Sequence, residues 1–341
     1  MKKLLLLAPA LFFLAGCGQN NDAPAVENKK PADAIKLNYS VFFPPTHVQA
    51  GLAKDWATEI ENRTDGRVKI TVTFGGAITK PENTFQAVLD SVDDIGMSAF
   101  AYSRGRFPLL EGLDLPHGYP DGVTATRVAN ELIAEFKPAE LDPVKFFYVH
   151  AHGPGILATR SGHDVATLED VKGKKIRGTG FVTATIAALG GTPVGLPQND
   201  TYEALQKGTV DATFCPVETL KGWKQGEQID AITDTRCIGY TTVFYVVMNK
   251  DSWAKLPADI QKIFNDVNAE WIVKHGDAWN FIDDEGRAFI EGKGRKTISL
   301  SEAEQARWVA AVQPVIDDYI KKDAALPRQK FIDALRAKLA Q

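Results

Sequence analysis

A two-lobed α/β protein with one long helix lying across both lobes is the fold class that this sequence predicts. Three observations predict it. The order strand, helix, strand, helix, strand occurs twice, once from Ile35 to Phe100 and again from Lys174 to Phe214. A helical pattern runs from Pro257 to about Glu291, longer than the core of a single lobe needs. The chain has 341 residues, enough for two separate cores.

Taken in order, the chain opens with Met1-Lys2-Lys3 and an apolar run from Leu4 to Leu14. That run is short for a bilayer span and suits a signal-peptide core. It ends Leu14-Ala15-Gly16-Cys17, which resembles a bacterial lipobox. The expectation is a lipoprotein signal peptide over 1–16, acylation of Cys17, and a membrane anchor made of lipid. Residues 17–34 are polar and rich in Asn, Lys, Ala and Pro, and read as a flexible tether.

Lobe I is expected over 35–157. Ile35–Phe42 alternates as a strand stopped by Pro44-Pro45, and Thr46-His47 opens a helix to Arg63. Val68–Phe74 is a strand, Pro81–Leu89 a helix, and Ile95–Phe100 a short apolar strand. Thr124–Phe136 is helical and Val144–Ala151 a strand. Ile156–Thr159 reads as a strand that crosses between the lobes.

Lobe II is expected over 158–242. Lys174–Arg177 is a strand broken by Gly178-Thr179-Gly180, and Thr183–Leu189 a helix closed by Gly190-Gly191. Thr192–Leu196 is a strand, and Tyr202–Lys207 a helix capped by Asp200 or Thr201. Val210–Phe214 and Ile229–Asp234 are strands on either side of a short helix at Glu218–Trp223. Residues 243–292 comprise a strand returning to lobe I and the long helix. Ile260, Phe264, Val267, Trp271, His275, Ala278, Ile282 and Phe289 make its apolar stripe. Residues 293–341 form a C-terminal helical segment on the lobes.

The formal net charge is −4, with acids and bases mixed along the chain. This predicts neither a nucleic-acid surface nor a further membrane span. Doubly wound units bind ligands at the carboxyl ends of their strands. Arg177 sits at such an end, beside the start of a helix. Its guanidinium and the helix N–H groups suit one carboxylate, and the alternative is an arginine that only ties strands together.

The stretches KGKKIRGTG, ALGGTPV, TYEALQKGTVDATFCP and FYVVMNKDSWAKLPADIQKIF carry a resemblance to a known family. Their order and spacing are similar to those of the solute-binding protein of tripartite ATP-independent periplasmic (TRAP) transporters, DctP type. The resemblance runs from Leu37 to about Tyr319. It implies a periplasmic binding protein of type II-like fold, an organic-acid ligand, and TRAP membrane permease subunits as partners. It also implies that Arg177 forms a salt bridge with the ligand carboxylate. No cofactor, no catalytic residue and a monomer are expected. The alternative within binding proteins is a receptor for an ABC transporter or a sensor kinase.

Two departures from the family pattern bear on the ligand. Cys215, preceded by Phe214, stands where relatives often place an amide. The stretch from His152 to Leu157 lacks the second arginine that many members have. Phe43, Tyr102 and Phe181 are expected to add apolar surface, although Phe43 and Tyr102 each read equally as core. His152 and Tyr240 complete the candidate ligand set, with Trp223 and Phe244 as further walls. Arg104 and Arg106 are the candidates for a second positive charge, against a solvated loop position. An aryl- or alkyl-substituted monocarboxylate is therefore expected over succinate, malate or sialic acid.

Enzymatic readings have little behind them. His150 and His152 lack a third metal ligand at useful spacing. Cys215 reads as inert and buried, and Ser161, His163 and Asp164 are neighbours in sequence rather than a triad. Cys215 and Cys237 are left open as a disulfide.

Overall fold

The computed structural model describes residues 34–341. The expected signal peptide, the tether as far as Asp33, and Cys17 lie outside the described residues. From Ala34 onward the chain is one unit with two sheets.

The strands are β1 (Ile35–Val41), β2 (Val68–Phe74), β3 (Ile95–Ala99), β4 (Lys145–Ala151), β5 (Gly155–Thr159), β6 (Lys175–Gly178), β7 (Thr192–Gly195), β8 (Ala212–Pro216), β9 (Ala231–Asp234), β10 (Val243–Met248) and β11 (Lys296–Ser299). The helices are α1 (Val48–Arg63), α2 (Thr84–Leu89), α3 (Gly122–Phe136), α4 (Leu168–Val171), α5 (Val182–Ala188), α6 (Gln198–Gln206), α7 (Thr219–Gly222), α8 (Lys250–Ala254), α9 (Ala258–Gly292), α10 (Glu302–Lys321) and α11 (Arg328–Leu339).

The first sheet has the order β2-β1-β3-β10-β4 and the second β11-β9-β5-β8-β6-β7. In the first, β1 runs parallel to β2 and β3, while β10 is antiparallel to both its neighbours. The second is likewise parallel across β6, β7 and β8, with β5 antiparallel between β8 and β9. Both sheets are covered on two faces. Along β10, Phe244, Val246 and Met248 join the core beneath α1 and α9, while Val243, Tyr245 and Val247 join the core beneath α3 and α11. That is the alternation a strand buried on both faces must show.

Several boundaries differ from expectation. Strand β5 lies wholly in the second sheet, so the first crossing between lobes falls at His152–Pro154. The second falls just before Val243, where β10 begins. These crossings are stapled together. Thr242 N–H donates to His152 Nε2 (2.9 Å), Thr241 Oγ1 to the His152 carbonyl (2.6 Å), and Gly155 N–H to the Tyr240 carbonyl (3.0 Å). Helix α6 begins at Gln198 behind Pro197, earlier than the Asp200 cap suggested, because the proline has already set an extended entry. Strand β11 was not anticipated in the C-terminal segment.

Helix α9 has 35 residues, about 50 Å at 1.5 Å per residue. Phe264 and Trp271 belong to the core of the first lobe, and Ile290 to a core of the second. Toward its end the buried stripe shifts by one residue from the expected Ala278 and Phe289, to Trp279 and Ile290. Gly286 allows the helix onto the end of β8, for a Cβ there would lie 2.5 Å from the Val217 carbonyl oxygen.

Candidate functional site

The carboxyl ends of β6 and β8 face the loops after β1 and β3 across the gap between the lobes. A cavity lies there, lined by aromatic side chains from both sides: Phe42, Phe43 and Phe244 from the first lobe, Trp223 and Tyr240 from the second, and Trp279 from α9. Phe42 stacks on Phe244 (ring centroids 5.6 Å) and lies parallel to Trp223 (6.2 Å). Phe244 stacks on Trp279 at 5.3 Å. Two glycines admit this arrangement. A Cβ on Gly155 would come within 2.0 Å of the Tyr240 ring, and one on Gly122 within 2.5 Å of Trp279 Cβ.

Arg177 projects into this aromatic box and is 3% exposed. Its Nε donates to the Leu196 carbonyl (3.0 Å) and its Nη1 to the Phe214 carbonyl (3.4 Å). These bonds fix the plane of the guanidinium and leave its charge unmatched. Among the described residues Arg177 takes part in no salt bridge. A buried cation without a counter-charge is costly, and an anionic ligand removes that cost. Gln198 adds an open donor in the same wall: it is buried, and its Nε2 has no hydrogen-bond partner.

His152 lines the cavity without contributing a charge. Its Nδ1 donates to the Gly153 carbonyl, and its Nε2 accepts from Thr242 N–H. Burial lowers its pKa to about 4, so the ring is neutral. Arg104 and Arg106 are not among the lining residues. Arg104 lines a neighbouring recess, and Arg106 lies over the Phe85 ring. The cavity wall thus holds one arginine and no lysine.

The far wall carries Glu218, Thr219 and Pro216, all just past or at the end of β8. Glu218 Oε2 accepts from His47 Nε2 (3.0 Å), and its backbone N–H donates to Asp283 Oδ1 of α9 (3.2 Å). Burial, then the nearby Glu218 carboxylate, raises the pKa of Asp283 to about 7. Tyr102 reaches across from the first lobe, where its hydroxyl accepts from Gln198 N–H (3.2 Å).

The free space is about 30 Å³, room for only one or two waters. A cavity that holds benzene is on the order of 150 Å³. An aromatic ligand therefore needs the lobes, or the Trp223 and Tyr102 side chains, to stand further apart.

Of the residues singled out from the sequence, Arg177, Phe43, Tyr102, His152 and Tyr240 line the cavity together. Phe214, Cys215 and Phe181 do not. Strand alternation turns Phe214 into one core of the second lobe and Cys215 into the other. Burial pushes the Cys215 thiol up to about 12, and both Cys215 and Cys237 are free thiols. Phe181 lies edge-on to Tyr319 at the lobe I core. Of the triad-type residues, His163 approaches Asp211 (3.6 Å) and Asp164 pairs with Lys296 (2.6 Å), so these three do not assemble. Gln198, Glu218 and Trp279 were not anticipated. The strand-end rule covers Gln198 and Glu218, which lie two or three residues past β7 and β8. Nothing local marks Trp279.

A family model described as bacterial extracellular solute-binding protein, family 7, matches residues 39–323. A solute-binding protein of Albidiferax ferrireducens is 26% identical over 298 residues, covering 81% of this chain and 83% of its own. Among solved structures, a TRAP periplasmic solute-binding protein from Bordetella bronchiseptica, with bound (R)- and (S)-mandelate, is similar at a TM-score of 0.83. It is 28% identical, and the match covers 90% of this chain and 99% of that one. A marine metagenome TRAP solute-binding protein specific for aromatic acid ligands, complexed with 3-hydroxybenzoate, is similar at a TM-score of 0.84. It is 26% identical, with 90% and 98% covered.

Proposed function

The chain belongs to the bacterial extracellular solute-binding protein family 7, the DctP family, and from that premise we infer that it is the extracytoplasmic receptor of a TRAP system, closing on an aromatic or otherwise apolar monocarboxylate and handing it to the membrane permease. The observation that carries the ligand class is Arg177: a buried guanidinium with no acidic partner among the described residues, set in aromatic walls. One arginine and the Gln198 amide suit one carboxylate. The apolar walls suit a ring, and would leave the hydroxyls of a sugar acid unpaired at about 1–3 kcal/mol each. The mandelate and 3-hydroxybenzoate held by the two similar receptors agree with this class.

Binding in this reading is a shift toward the closed state, because the ligand touches both lobes at once. The receptor is read as a monomer, with lining residues from both lobes of this one chain. Cys17 is read as the acylation site that holds it at the membrane, on the strength of the Leu14–Cys17 motif.

The deciding experiment is mass spectrometry of small molecules released from purified protein, with a thermal-shift panel of benzoate, mandelate, succinate and malate. Stabilisation by the aromatic acids alone is expected. Stabilisation by the dicarboxylates alone would overturn the ligand class.

A further inference from the structure

Arg177 is one of two charged groups in the cavity wall, and the other has no part in binding a carboxylate. Arg177 stands on the flank where Leu196, whose carbonyl it holds, also lines an outer recess with Tyr102 and Thr179. Glu218 stands on a different flank, where the cavity backs onto a second recess lined by His47, Lys221 and Ile282. The two groups form no ion pair with each other. Both line the one cavity, Arg177 on β6 and Glu218 just past β8.

We propose that Glu218 is the specificity-determining residue of this site, accepting a hydrogen bond from a hydroxyl or amino group on the ring of the bound acid and turning away a second carboxylate. This rests on the reading that the site takes an aromatic monocarboxylate.

Three observations support it. Glu218 is 2% exposed, so a polar group on the ligand meets it in a dry wall, where an unpaired donor or acceptor is costly. Its Oε2 is occupied by His47, whose role is set: His47 Nδ1 accepts from Gln49 N–H, so Nε2 carries the proton and donates. Its Oε1 accepts no hydrogen bond from the described residues, although it is not sealed off as the Gln198 amide nitrogen is. The site thus holds an acceptor whose partner is missing, and the neighbouring Trp279 and His152 cannot supply one. Trp279 Nε1 donates to His150 Nδ1 (3.0 Å), and both nitrogens of His152 are engaged. A ring hydroxyl supplies the donor. A second carboxylate would bring oxygen against oxygen with no proton between them.

Glu218→Gln tests the assignment because it keeps the shape and reverses the polarity. His47 Nε2–H still requires an acceptor, so the amide oxygen turns to His47 and the NH₂ turns to the cavity. The measurement is calorimetry of benzoate, 3-hydroxybenzoate and benzene-1,3-dicarboxylate with wild type and variant. The readout is each dissociation constant relative to that of benzoate in the same protein. In wild type, 3-hydroxybenzoate is expected to bind at least about tenfold tighter than benzoate, and the dicarboxylate no tighter than benzoate. In Glu218→Gln the hydroxyl preference is expected to fall to within about threefold, and the dicarboxylate to gain about tenfold relative to benzoate. Unchanged ratios in the variant would overturn the proposal while leaving the aromatic-acid reading intact. Wild type alone also decides: a dicarboxylate bound as tightly as 3-hydroxybenzoate overturns it whether or not the variant folds. Failure of wild type to bind any of the three would bring down the functional reading and this inference with it.

Discussion

His47 and Glu218 join the two lobes through a single buried contact, Nε2 to Oε2 at 3.0 Å, with both side chains 2% exposed or less. His47 also caps α1, because its Nδ1 accepts from Gln49 N–H. The ring therefore ties a helix start in one lobe to a strand end in the other. The two duties separate by substitution. His47→Asn keeps a good helix cap but is too short to reach Glu218. Because Glu218 is left buried without this donor, we expect the variant to lose about 1–3 kcal/mol of stability and to melt several degrees lower than wild type. Affinity for the cognate acid should weaken by about 5- to 30-fold, the worth of one buried hydrogen bond at 1–2 kcal/mol. Equal affinities in calorimetry would mean that this contact does not hold the closed state.

Arg177→Ala removes the one cation in the wall. The expected loss is about 2–5 kcal/mol, at least about 30-fold in Kd. Arg177→Lys should also bind weakly, because a point charge cannot hold the Leu196 and Phe214 carbonyls while meeting a carboxylate side-on. Calorimetry with benzoate or mandelate checks both, and near-normal affinity in the alanine variant removes Arg177 from the site.

The raised pKa of Asp283 makes stability depend on pH. Its pKa is about 7 in the fold, against about 3.9 in an unfolded chain. Between those values the folded state holds a proton that the unfolded state has released. The contribution is fully present below pH 4 and is lost as pH rises through 7, at up to about 1.4 kcal/mol per pH unit. Asp283→Asn keeps an oxygen for Glu218 N–H and cannot ionise. Urea unfolding should find the variant more stable than wild type at pH 7.5, with the difference shrinking toward pH 5. A constant difference across that range would show that Asp283 does not titrate with folding.

The features that carried into the fold from the sequence were those written in local chemistry. The Gly178–Gly180 break placed Arg177 at a strand end, and the stripe from Ile260 to Ile282 announced a helix too long for one lobe. What stayed hidden depended on partners far along the chain. Strand β11 is four residues at the edge of its sheet, too short for a periodicity and visible only through its pairing with β9. Phe214 and Cys215 sit within β8, where alternation commits both to cores, whereas Glu218, just beyond the strand, is free to reach the cleft. Trp279 looks like any stripe residue until α9 is laid across the gap.

Acylation at Cys17 is checked directly. Intact-mass analysis of membrane-extracted protein is expected to find a chain starting at Cys17 with two or three acyl groups. A soluble product cleaved at another position would contradict the motif reading.

The first sheet has a consequence for the order in which the molecule is made. Its order is β2-β1-β3-β10-β4, so β3 and β4 meet no neighbour between them until residues 243–248 arrive to fill the middle. Helix α9, which seals one face, comes later still, and α11 on the other face is last. The amino-terminal half of the chain thus lacks a closed core while it is being synthesised, and its long-range pairings form late. Such a chain stays loose until it is complete. A fragment ending at Ala151, which holds every strand of the first sheet except β10, is accordingly expected to show no cooperative thermal transition by circular dichroism. A sharp melt in that fragment would mean that the first sheet can form without the strand between β3 and β4.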